Sequence, residues 1–243
     1  MALKSKIEWT ESTWNPITGC SKISDGCQNC YASRLATRLQ RMGNPKYVNG
    51  FKLTLHEDCL NEPYSWKKPS RIFVNSMSDL FHADVPLGYI QRIFDVMNNN
   101  SRHIFQVLTK RAERLRELAG LLNWTNNIWL GVTVENAKNK NRIDCLRNTP
   151  ANIKFISFEP LIDDVGPVNL EGVDWAIIGG ESGWSARPIQ ENWIINIKKQ
   201  CEKQGTHFYF KQWGGTNKRK TGRVLLGKTW DDMPNIPNAY CTP

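Results

Sequence analysis

No run of about 18 apolar residues occurs in the 243-residue chain, so the sequence offers no membrane-spanning helix. The opening MALKSKIEWTE lacks the apolar core of a secretory signal peptide, and the chain therefore reads as cytoplasmic. No internal repeat and no low-complexity linker divides it. Its seven cysteines are an odd number. In a chain without an export signal thiols stay reduced, so a disulfide framework is not expected and the cysteines are free to hold metal. Acidic residues are scarce: 23 Asp and Glu against 32 Lys and Arg leave a formal charge of +9 and a pI near 9.2. That balance favours polyanionic partners such as nucleic acid or phosphate-bearing cofactors. The positive charge is spread over KSK, SWKKPSR, LTKRAERLR and NKRK, so much of it is ordinary solvated surface.

What is present is a 40% hydrophobic chain, ample for the core of a single α/β domain. Short runs rich in β-branched and aromatic residues recur at 71–79, 103–110, 128–136, 153–161, 174–182 and 207–215, with a weaker one at 14–18. Between them, PLGYIQRIFDVMNNN, RAERLRELAGLLN, AKNKNRIDCLRN and QENWIINIKKQCEKQG carry apolar residues at helical spacing. Alternating strands and helices imply a parallel sheet, either a full or partial (β/α) barrel or an open doubly wound sheet. Residues 1–215 form the expected barrel. Residues 216–243 lack helical periodicity and are expected to be an extended C-terminal excursion packing on it.

Each apolar run stops in polar groups. After IFV come Asn75, Ser76, Ser78 and Asp79; after FQVL, Thr109, Lys110 and Arg111; after LGV, Thr133 and Glu135. After FISF comes Glu159; after WAII, Gly179, Gly180 and Glu181; after FYF, Lys211. Wet loops alone account for any one of these ends, but in a barrel of parallel strands all of them converge on one face, where such folds build their sites.

The stretch ITGCSKISDGCQNCYA places Cys20, Cys27 and Cys30 in the spacing C-x6-C-x2-C. A pair two residues apart can put both sulfurs on one metal or cluster, a third from a flexible loop can close the face, and Gly26 permits the tight backbone this needs. Three readings follow. Zinc would use Cys27 and Cys30 with His56 and Cys59 of HEDC and leave Cys20 idle. An iron–sulfur cluster would use all three cysteines. The third is an ordinary loop with coincidental thiols.

The three-cysteine loop ahead of repeated strands resembles the radical S-adenosylmethionine (SAM) superfamily. The chain is more closely similar to a group of phage- and bacterium-encoded three-cysteine-motif proteins, through the opening IEWTESTWNPITGCSKISDGCQNCYA and the words MSDLFH, LTKR, GVTVEN, FEPL, GGESG, ARP and FKQWGG. The resemblance implies a partial (β/α)6 barrel, a [4Fe–4S] cluster on Cys20, Cys27 and Cys30, and SAM cleaved to a 5′-deoxyadenosyl radical. It also implies an electron donor such as flavodoxin or ferredoxin. The superfamily's usual spacing is C-x3-C-x2-C with an aromatic before the last cysteine. Here the first gap is three residues longer, Asn29 holds the aromatic position, and Tyr31 follows.

The resemblance also distributes cofactor roles. Asn75, Ser76, Ser78 and Asp79, with Ser76 and Asp79 foremost, would meet the methionyl amine, and Thr133 and Glu135 the ribose hydroxyls. Thr109 is a further cofactor candidate. Gly179 and Gly180 would let backbone approach a flat ligand, unless they simply make a tight turn. Glu159 is a further cofactor-binding candidate, and Glu181 and Lys211 are the catalytic candidates. A Glu159–Lys211 ion pair across the mouth is the structural alternative. Lys110, Arg111, Arg187, Lys218, Arg219 and Lys220 would suit the phosphates of a nucleic acid or nucleotide substrate. Trp184, Trp213 and Trp230 either stack on a base or anchor loops by burial. A zinc-stabilised nucleic-acid-binding protein without catalysis, or a radical enzyme on a small molecule, are the competing functions.

Overall fold

The computed structural model describes residues 3–5 and 7–235. Among these described residues there are ten strands. β1 (Leu3–Lys4), β2 (Ser12–Trp14), β3 (Ile17–Thr18) and β4 (Thr54–Leu55) precede β5 (Arg71–Val74), β6 (Ile104–Thr109), β7 (Ile128–Thr133), β8 (Ile153–Phe158), β9 (Trp175–Gly179) and β10 (His207–Gln212). Six helices join them: α1 (Tyr31–Arg41), α2 (Leu87–Asn98), α3 (Ala112–Leu118), α4 (Asn141–Arg147), α5 (Glu191–Gln204) and the single turn α6 (Lys218–Thr221).

Strands β2, β5, β6, β7, β8, β9 and β10 pair in that order, all parallel, with β1 added antiparallel beside β2. An order that never reverses excludes the doubly wound sheet, which needs a switch point, and β2 and β10 are not paired. The result is an open, curled half-barrel of seven parallel strands, the expected partial barrel.

Trp9, in the turn between β1 and β2, measures the curl. Its ring lies 4.8 Å from Phe73 of β5 and 6.1 Å from Trp175 of β9. In a flat sheet those strands, four places apart, would be about 19 Å from each other. Side chains alternate accordingly. Ile72, Val74, Val107, Leu130, Val132, Ile156, Ile178 and Phe210 face the helices in the main core, while Phe73, Trp129, Phe155, Trp175 and Tyr209 fill the concave side with Trp9. Gly131 makes this filling possible, because a Cβ there would stand 2.4 Å from the Phe155 ring.

The strand runs of the sequence reappear shortened, since their polar tails lie beyond the last ladder bonds. The 14–18 run is split by Asn15 and Pro16 into β2 and β3, because Pro cannot donate to a ladder. The β8–β9 connection contains no helix. Beyond α6, Tyr209 bridges Asp231 antiparallel, Phe210 N donates to Trp230 O at 3.0 Å, and Trp175 Nε1 donates to Asp232 O at 2.8 Å. This stretch of the C-terminal segment lies along β10; residues 236–243 lie outside the described residues, as do the Lys218 and Arg219 side chains.

Candidate functional site at the mouth of the half-barrel

The cysteine loop leaves β3 through Gly19, at φ 83°, where a Cβ would meet Lys52 O at 2.1 Å. Only glycine fits so close a backbone crossing. Cys20 N then donates to Phe51 O at 3.3 Å, Ser21 Oγ shares a 2.8 Å hydrogen bond with His82 Nε2, and Arg111 Nη2 donates to Ser21 O at 3.1 Å and to its Oγ at 2.8 Å. Cys20, Cys27 and Cys30 are free thiols of intermediate exposure, and Cys30 caps α1. The Cys20 thiol is pushed up to about 11, first by burial and then by the Asp79 carboxylate, against the opposing pull of Arg111.

The long first gap is used to span the mouth. Ser24 Oγ donates to Glu135 Oε1 in a very short hydrogen bond. Gly26 lies so close that a Cβ would be 2.4 Å from Glu135 Cγ. Asn136 Nδ2 donates to Asp25 Oδ2 at 3.2 Å, and Arg187 Nη2 donates to Asp25 O at 3.0 Å. Asn29, in the aromatic's place, donates from Nδ2 to Glu181 Oε2 at 2.9 Å and Ser185 O at 2.7 Å. The loop is therefore tied beyond the end of β5 through His82, beyond β7 through Glu135, and beyond β9 through Glu181.

Three carboxylates at these strand ends are paired. Glu135, fully buried, accepts from Arg142 Nη1 at 2.6 Å. Glu181 accepts from Arg187 Nη2 at 2.6 Å and Nε at 3.0 Å. Burial pushes the Glu181 carboxyl up, but hydrogen bonds from Arg187 and Asn29 outweigh it and leave the group below its ordinary value of 4.5. Glu159 takes both Lys211 contacts, at 2.7 and 2.8 Å, so the ion pair weighed as the structural alternative is present.

At the end of β5 the polar groups hold the fold. Ser76 Oγ donates to Asn15 Oδ1 at 3.2 Å and Ser78 Oγ to Ile17 O at 3.0 Å. Asp79 accepts from Thr109 Oγ1 at 2.7 Å, Phe81 N at 3.0 Å and Lys110 N at 3.0 Å. Asn75, at φ 59°, accepts from Ile17 N through Oδ1, while its Nδ2 is buried without a partner among the described residues. Thr133 Oγ1 lies 3.4 Å from Lys110 Nζ.

The glycines interlock β9 with β10. Gly180 N donates to Gln212 O at 3.0 Å, and a Cβ on Gly180 would stand 2.1 Å from Trp213 O. Gly179 leaves room for Glu159, which a Cβ would approach to 3.2 Å. Trp213 and Trp230 anchor loops: their indole N–H groups donate to Val224 O and Leu225 O, and Lys198 and Lys228 flank the Trp230 ring. Trp184 is 90% exposed. Ser24 and Arg142, which complete the mouth, and the partners of Asn29 escaped the sequence reading because each is identified only by a contact far along the chain or within a buried pair.

Among the described residues no group of three His, Cys, Asp or Glu side chains stands in metal-holding geometry. The zinc set is further engaged elsewhere: His56 Nε2 shares a 2.8 Å hydrogen bond with Thr18, and buried Cys59 contacts Lys46 Nζ at 3.0 Å. Among the described residues no helix is long and apolar enough to cross a membrane.

A family model described as a protein of unknown function (DUF5131) matches residues 4–234. No curated protein matches the sequence. Among solved structures, a spore photoproduct lyase variant with bound AdoMet and a dinucleoside spore photoproduct is similar at a TM-score of 0.49 and 11% identity, over 84% of this chain and 64% of that one. The chain spans less than two thirds of that protein's length, and a likeness of this degree carries no argument about what the chain binds or does.

Proposed function

The chain belongs to the DUF5131 family, whose model spans nearly all of it, and from that premise we propose that it is a radical SAM enzyme acting on a nucleic-acid base or a nucleotide. The observation that carries the reading is the loop itself: three free thiols in one C-x6-C-x2-C segment, stretched over the end of a parallel half-barrel and fastened beyond three of its strands.

The donor set suits a [4Fe–4S] cluster. Cys20, Cys27 and Cys30 are soft ligands with only weak contacts, the closest being Cys20 Sγ to Ser21 O at 3.4 Å and Cys27 Sγ to Ser24 Oγ at 3.8 Å. The side chains must turn toward one another to hold it, since they do not converge on a metal point. When bound, the cluster and SAM supply reductive cleavage to a 5′-deoxyadenosyl radical, the electron coming from a flavodoxin- or ferredoxin-like donor.

The chain's own residues orient and exclude. Arg111 beside Cys20 pulls its thiol down, against the burial and the Asp79 carboxylate that hold it raised. The unpartnered Asn75 Nδ2 is a donor and suits the methionyl carboxylate. The amine contacts assigned to Ser76, Ser78 and Asp79 require exchange of the hydrogen bonds those groups now make. Thr133 and Glu135 remain the ribose candidates, Thr109 acts through Asp79, and Glu181 and Lys211 present fixed charges beside Gly179 and Gly180. Trp184, next to a glycine approached by the Arg34 guanidinium, offers an exposed ring on which a base can stack.

The test is anaerobic reconstitution. Brown protein with about four irons per chain, colour lost in Cys20→Ser but kept in Cys59→Ser, and 5′-deoxyadenosine formed with SAM and reductant are the expected results. Colourless anaerobic protein carrying one zinc, released by Cys59→Ser and not by Cys20→Ser, overturns the reading.

A further inference from the structure

Beside the cysteine loop, on the helix side of the β5, β6 and β7 ends, lies a cavity of about 430 Å³. The cavity is built from the segment after β5, the β6–α3 connection, the start of α4 and the tip of the cysteine loop, which contributes Ile23. Five cationic side chains line it, Lys110, Arg111, Arg114, Lys138 and Arg142, against the single carboxylate Glu113.

The positive charge is largely uncompensated. Arg142 is neutralised by Glu135, and Asp79 reaches Arg111 only at 4.0 Å while accepting three other hydrogen bonds. Arg111 Nε is buried with Asp79 Oδ2 4.0 Å away and no hydrogen bond among the described residues, while Arg111 Nη2 donates to Ser21. Arg114 donates only to the carbonyls of Phe81, at 3.5 Å, and Val85, at 2.6 Å, keeping its full charge. The half-buried Lys110 has a single hydroxyl contact, and the exposed Lys138 makes no ion pair among the described residues. Glu113 is exposed and accepts from Asn141 Nδ2 at 3.0 Å. Three cationic side chains that make no ion pair among the described residues, Lys110, Arg114 and Lys138, line one cavity with Arg111; such an arrangement wants an anion of several oxygens, and phosphate offers the matching acceptors.

We infer that this cavity binds the phosphate of a phosphate mono- or diester, with Lys110, Arg111 and Lys138 as its principal ligands. Its size admits a phosphate with an attached sugar. The shared chemistry is the phosphate group, whether carried by a free nucleotide or by a nucleic-acid backbone. The site uses no cysteine, so the inference stands if the iron–sulfur reading fails, and it can fail with that reading intact.

The experiment is equilibrium binding on the full metal-free chain, with inorganic pyrophosphate, deoxycytidine monophosphate and a short single-stranded DNA oligonucleotide as probes across a salt series. Saturable binding is expected, weakened about tenfold by Lys138→Gln and again by Lys110→Gln, and unchanged by Lys203→Gln on the exposed face of α5. Each of the two cavity lysines should lower the salt slope for the oligonucleotide by about one. Equal affinity for the mononucleotide and the oligonucleotide supports a nucleotide site; binding of the oligonucleotide alone supports a backbone site. No saturable binding of any probe overturns the inference, as does binding left unchanged by the double variant with native circular dichroism. Lys138 is exposed, so its single variant keeps the test valid if the Lys110 variant fails to fold.

Discussion

Glu135 is fully buried and holds two structures at once: Arg142 on one oxygen and Ser24 of the cysteine loop on the other. A buried pair of this kind stabilises little relative to apolar residues, but breaking it leaves an uncompensated charge. Glu135→Gln is therefore expected to lower unfolding free energy by about 3 kcal/mol, read from urea midpoints. Arg142→Leu together with Glu135→Leu should recover much of that loss while leaving the loop untethered. An unfolding free energy unchanged in Glu135→Gln would show that the pair is not closed in solution.

The cysteine loop behaves as a strap fixed at several points, and Gly26 is where it presses on Glu135. A Cβ there meets Glu135 Cγ at 2.4 Å and Oε1 at 2.6 Å, so Gly26→Ala must lift the strap or displace the carboxylate, an overpacking cost of about 1–3 kcal/mol. The expected outcome is a chain that folds with native circular dichroism but retains less iron after reconstitution; full retention would separate the strap from the metal site. Much of the element order was legible in the sequence, because buried parallel strands are continuous β-branched and aromatic runs. Helix α1 was not, since the buried residues of its inward face are the small Ala32 and Ala36, with only Leu39 packed partly beside them. The strand ends were legible as polar, but their partners were not: Ser24 to Glu135 and Asn29 to Glu181 span 111 and 152 residues, and no local pattern encodes such closures. The hydrogen bonds of Asp79 were hidden for the same reason, its three acceptor contacts coming from the chain beyond it.

Across the whole molecule the histidines set an acid limit. Burial, with Lys46 near His56, Arg111 near His82 and Arg102 near His103, holds all three below their ordinary value of 6.5. The unfolded chain takes up protons there that the native state refuses, so stability is full above pH 6.5 and falls as pH drops below it, by up to about 1.4 kcal/mol per pH unit for each histidine. The lowered Glu181 adds its own loss only below 4.5, so a series of melting temperatures between pH 7.5 and 5 isolates the histidines; a flat series would refute the assignment. The half-barrel never closes, which leaves it two margins of the kind along which β-sheets zip into one another. At one margin lies the antiparallel Leu3–Lys4 ribbon, and against the other runs the stretch through Trp230 and Asp231. Short antiparallel hems are poor templates for a stranger's strand. Unpicking the hem beside β10 should therefore raise the rate at which the chain associates edge to edge, read by light scattering against the unaltered chain; an unchanged rate would show that the hem guards nothing.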